Sequence, residues 1–145
     1  MKRFEFPLET ARRWRREQQE MEEMRLQQLY ADLQQIALQR KRLDAEYAAA
    51  DSRLRSGKII LAEDLFNLDN FRRQLRKRTE ALDQARRQCE RRIEAQRERV
   101  IEARKNFELL DHLKKRKQED WRLESLKEQE ALASELFLAR WNRES

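Results

Sequence analysis

The sequence has one glycine, one proline, one cysteine and one histidine in 145 residues. Valine, isoleucine and threonine together number eight. A β-fold needs β-branched residues in its strands and turn formers between them. Sheets are therefore excluded, and a doubly wound fold and a glycine-rich phosphate loop fall with them. Cys89 has no second cysteine to pair with, which points to a reducing compartment. His112 has Asp111 beside it but no cluster of cysteines or carboxylates at ligand spacing, so no metal and no cofactor is expected. The longest uncharged apolar runs are a few residues, against roughly 20 for a membrane span. No hydrophobic signal segment is visible. The chain is expected in the cytoplasm, with no transmembrane segment.

What the sequence has in abundance is helix formers. Alanine, glutamate, leucine, lysine and arginine make up 89 of the 145 residues. That exceeds the roughly 50% that marks coiled coils and long helices. The net charge is +6, and the excess is spread evenly: 12 basic and 10 acidic residues up to Gly57, 22 and 18 beyond it. This is the pattern of a solvated, salt-bridged helix surface. Two basic runs stand out, Arg72 to Arg78 and Lys114 to Lys117. A basic-zipper protein follows its basic helix with a heptad zipper. Here the seam runs straight through the first run, and no zipper follows the second. An acidic protein surface or anionic lipid suits these charges better than nucleic acid.

Gly57 divides the chain. Glycine suits a helix C-terminus and weakens a helix interior, and Pro7 is tolerated in a first helical turn. The reading is a single all-α domain: an extended start, helix 1 from about 7 to 54, a turn over 55–61 and helix 2 from about 62 to 141. Helix 1 carries Leu26, Leu29, Leu33, Ile36, Arg40, Leu43, Tyr47, Ala50 and Leu54 at alternating spacings of three and four. Helix 2 continues the alternation from Leu61 through Leu65, Leu75, Cys89, Ile93, Gln96 and Val100 to Leu110. This is the heptad seam of a left-handed coiled coil. A tight turn at Gly57 makes the helices antiparallel, and pairing positions whose numbers sum to 115 matches the two seams. Leu26 then faces Cys89, and Leu43 faces Arg72. A shift of one heptad would keep the same phase.

Two regions depart from the pattern. Before Leu26 the strict seam would use Glu22, Gln19, Arg15 and Arg12, which are poor core residues. The apolar residues there, Leu8, Ala11, Trp14 and Met21, lie on a drifting stripe, so the supercoil is expected to relax. Past about Phe107, helix 2 runs out of partner and overhangs as a single helix. Leu123, Leu126, Leu132, Leu136, Leu138, Trp121, Phe137 and Trp141 lie on that overhang and read as an interaction surface. Catalysis is not expected. A two-helix hairpin encloses no ligand-sized pocket, and one histidine on a rod cannot assemble a nucleophilic triad.

The opening Phe4-Glu5-Phe6-Pro7-Leu8-Glu9, followed by Arg12, Arg13, Arg15 and Arg16, resembles the start of the FliJ family of flagellar type III export proteins. The segment Leu65 to Leu75 resembles that family's hairpin tip. The charged helix running to the C-terminus is similar as well. The resemblance implies a non-enzymatic coiled coil similar to the central stalk of rotary ATPases. It implies binding to a hexameric export ATPase and to a membrane export gate protein, and a general chaperone role that involves export chaperones. The location implied is the cytoplasmic side of the inner membrane at the flagellar basal body, by peripheral association. The gate-facing patch would include Leu43, Tyr47, Phe71 and Leu75, of which Leu43, Tyr47 and Leu75 are also seam positions. The ring-facing end would carry Trp121, Phe137 and Trp141. A generic coiled-coil adaptor or chaperone of another secretion system is the alternative.

Overall fold

A computed structural model describes residues 2–56 and 62–144. Two helices, α1 (Glu9–Arg55) and α2 (Ala62–Glu144), account for almost all of them. The expected all-α antiparallel hairpin is the observed fold. The Gly57 turn, with Leu54 and Leu61 beside it, lies outside the described residues or side chains. Residues 2–6 have no regular secondary structure, and Pro7 and Leu8 turn the chain into α1. Glu9 in the first turn of α1, and Glu63 and Asp64 in that of α2, place negative charge at the positive end of each helix dipole. Arg143 does the converse in the last turn of α2.

The chain divides into two compact units. Met21–Val100 forms one, and Met1–Glu20 with Ile101–Ser145 forms the other. In the first, the heptad reading identifies the core. Ala50 from α1 and Leu75, Cys89, Ile93, Gln96 and Val100 from α2 are buried, and all lie on the seam. Leu26, Leu29, Leu33, Ile36 and Leu43 are half-buried opposite them. Among the described residues, Tyr47, Leu65 and Arg86 are the seam positions left exposed.

The axial register differs from the expected one. Cys89 Sγ lies 3.4 Å from the Leu29 carbonyl oxygen, three residues beyond Leu26. Gln96 bonds Glu22 in place of Gln19. Arg40 pairs with Asp83 and Arg72 with Asp51, each eight residues beyond the expected partner. These displacements bracket one heptad step. The shift keeps every apolar position on the seam while bringing two arginines to two aspartates.

In the second unit the polar seam prevails over the drifting apolar stripe. Arg12, Arg15 and Gln19 are half-buried, whereas Leu8, Ala11 and Trp14 are exposed. The cause is visible at Arg12. Its guanidinium lies 5.3 Å from the centre of the Phe107 ring and binds Asp111 at 2.9 Å. Its stem covers an apolar neighbour while its head is neutralised, so a seam arginine here costs little.

Candidate partner-binding site

The N-terminal segment extends the packing along α2 well past Phe107. Lys114 Nζ stands 3.0 Å from Glu9 Oε2, and Arg12 donates to Asp111 through both Nε and a terminal nitrogen. Lys114 lowers the pKa of Glu9, and the Arg12 hydrogen bond followed by that of Lys115 lowers the pKa of Asp111. Farther on, the N-terminal segment lies against α2. Phe6 is buried, Phe4 sits 6.1 Å centre to centre from the Trp121 ring, and Trp121 Nε1–H donates to the Lys2 carbonyl at 3.3 Å. Trp121 is therefore half-buried, which corrects its place on the overhang. The overhang starts some twenty residues later than Phe107. Within this unit the N-terminal segment carries the packing outward along α2.

From Leu126 to Glu144 every residue of α2 is exposed. Phe137 and Trp141 are 65% and 63% exposed. Four residues apart, they share one helix face. Leu132, Leu136 and Leu138 are exposed beside them. Of the three expected ring-facing residues, the structure leaves Phe137 and Trp141 open together and docks Trp121 elsewhere. Phe4 and Lys2 are the residues that sequence reasoning missed. Their signal was the Phe-x-Phe alternation before Pro7, which is a strand-like period feeding a helix start.

In the other unit Leu43, Tyr47 and Leu75 line one shallow groove of about 310 Å³, with Asp44, Arg76, Thr79 and Glu80 around them. Leu75 is only 3% exposed and serves the core, while Tyr47 keeps an open face at 46%. Phe71 is also exposed, one turn before Leu75, and does not line that groove. Cys89 is buried on the seam, and desolvation raises its thiol pKa, so it is a packing residue and a poor nucleophile. Among the described residues no group of three His, Cys, Asp or Glu side chains could hold a metal ion. No helix among them is long and apolar enough to cross a membrane. Comparison with protein-family models, with curated proteins and with solved structures gives no match for this chain.

Proposed function

We propose that this chain is a non-enzymatic stalk and coupling protein of a flagellar type III export apparatus. In this reading it links a hexameric export ATPase to the membrane export gate and serves as a general export chaperone. It works in the cytoplasm, held peripherally at the inner membrane. The observation that carries the reading is the exposed helix from Leu126 to Glu144, which presents Phe137 and Trp141 to solvent on one face. A helix end with an open aromatic face can enter a ring and bias its nucleotide state, and the hydrolytic chemistry then belongs to the ring. The resemblance of Phe4 to Glu9 and of Leu65 to Leu75 to the FliJ family supports the same role. Tyr47 and Phe71 supply open aromatic surface for a gate contact.

The test compares the full chain with a variant ending at Ser125, using a purified flagellar export ATPase. The full chain should stimulate ATP hydrolysis and co-sediment with the ring, and the shortened chain should do neither. Equal stimulation by both would remove the overhang from the mechanism.

A further inference from the structure

One flank of the Met21–Val100 unit repeats itself. A groove of about 370 Å³ is lined by Arg25 and Leu29 from α1 and by Arg92, Ala95 and Arg99 from α2. A second groove, of about 390 Å³, is lined by Arg42 and Leu43 from α1 and by Arg78, Ala81 and Leu82 from α2. Leu43 follows Leu29 by fourteen residues, and Arg78 and Ala81 precede Arg92 and Ala95 by the same interval. The helices are antiparallel, so equal and opposite steps of two heptads place the same trio on the same flank. The two grooves are roughly 21 Å apart along the helices.

The arginines on this flank are unspent. Among the described residues, Arg42, Arg78, Arg92 and Arg99 form no ion pair, whereas Arg40 and Arg72 are tied to Asp83 and Asp51. Arg25 is the exception on the flank, bound to Glu22 at 3.0 Å. Each groove thus has a leucine wall, an alanine floor that lets another backbone approach closely, and free guanidinium groups at its edge.

We propose that this flank seats an acidic amphipathic helix from a partner protein. Its apolar face would fill both grooves, and its carboxylates, two heptads apart, would pair with Arg78 and Arg92. A helix returns the same face after fourteen residues, which matches the interval between the grooves. A nucleic-acid backbone would satisfy the arginines but has no apolar side chain for the alanine floors. The inference concerns a surface separate from the overhang and stands without the export reading.

The test uses the full chain and a fluorescent 24-residue helical peptide with leucine on one face and glutamates at heptad spacing beside it. Anisotropy should give micromolar binding that weakens with salt. The double variant R78E/R92E should bind at least tenfold more weakly, and a peptide with lysine for each glutamate should recover binding to that variant. Circular dichroism should show its helix content unchanged. If it unfolds, R78Q/R92Q measures the same loss. Equal binding by a scrambled peptide of the same composition overturns the proposal. So does failure of the lysine peptide to rescue, or displacement of the peptide by a lower concentration of 24-base-pair duplex DNA.

Discussion

Gln96, buried on the seam of α2, donates its side-chain N–H to the backbone carbonyl of Glu22 at 2.9 Å and also bonds that residue's carboxylate. A single polar residue in an apolar seam specifies pairing and costs stability. Both acceptors of its amide belong to Glu22, so the contact favours one axial position of α2 against α1. Replacing Gln96 by Leu should therefore stabilise the chain by about 1 kcal/mol, which raises Tm by about 4 °C. Thermal melting followed by circular dichroism measures it, and an unchanged or lower Tm would count against the assignment.

The register itself can be read chemically through Cys89. Its sulfur lies against the Leu29 carbonyl, which is the acceptor for the amide of Leu33 one turn on. Leu33→Cys should form an intramolecular disulfide with Cys89 on mild oxidation. Leu26→Cys sits two turns back, roughly 10 Å along the axis, beyond the reach of about 7 Å between Cα atoms. Mapping the cross-linked peptides decides between them. Preferential linkage to Leu26→Cys would restore the register in which the numbers sum to 115.

The contrast between phase and register explains what was legible in the sequence. Spacings of three and four identify Leu75, Cys89, Ile93 and Val100 as core, because side-chain direction repeats every two turns whatever lies opposite. Sliding one helix by a heptad leaves that pattern intact, so the apolar residues do not choose among registers. Polar contacts across the seam choose, such as Arg40 with Asp83 and Arg72 with Asp51, and spacing within one helix does not reveal them. The same holds at Arg12, which looks like a poor core residue until Phe107 and Asp111 are beside it. For the candidate site, Phe137 and Trp141 lie on the stretch of α2 from Leu126 to Glu144, where every residue is exposed. The burial of Trp121 depends on Phe4, at the other end of the chain.

Acid should loosen the Arg12–Asp111 contact. The Asp111 carboxyl is held below its ordinary value by the Arg12 hydrogen bond first and by Lys115 second. A carboxyl depressed in the folded state contributes stability above its unfolded pKa of about 3.9. That contribution is lost as pH falls through the folded value. Tm of the natural chain should therefore fall more steeply than that of Asp111→Asn as pH drops below about 4. Parallel curves would mean that the pair is solvent-screened and contributes nothing measurable.

The contact between the N-terminal segment and α2 has a spectroscopic reporter. In a chain carrying Trp14→Phe and Trp141→Phe, Trp121 is the remaining tryptophan. Phe4→Ala should shift its emission to the red and raise its quenching by iodide about twofold, since Phe4 covers one side of the ring. An emission spectrum unaffected by Phe4→Ala would show that the segment does not cover Trp121 in solution.

Stability and partner binding should separate along α2. Trp121 packs against Phe4 and donates to Lys2, so Trp121→Ala removes internal contacts. It should lower Tm by several degrees, through a loss of about 1–2 kcal/mol. Phe137 and Trp141 are largely exposed, so replacing both by alanine should leave Tm within about 2 °C of the natural chain. Aromatic anchors at the centre of an interface each contribute about 2 kcal/mol or more, and every 1.4 kcal/mol is about tenfold in affinity. If the overhang enters the ATPase ring, Phe137→Ala with Trp141→Ala should weaken ring binding about 100-fold or more while helix content is retained. Trp121→Ala should affect ring binding far less at temperatures below its melt. Co-sedimentation and melting curves on the same three proteins measure both quantities. A large loss of Tm in the Phe137/Trp141 variant would show that the helix end packs on its own chain. A large loss of binding in Trp121→Ala, with Tm unchanged, would move the contact inward to the segment that Phe4 covers.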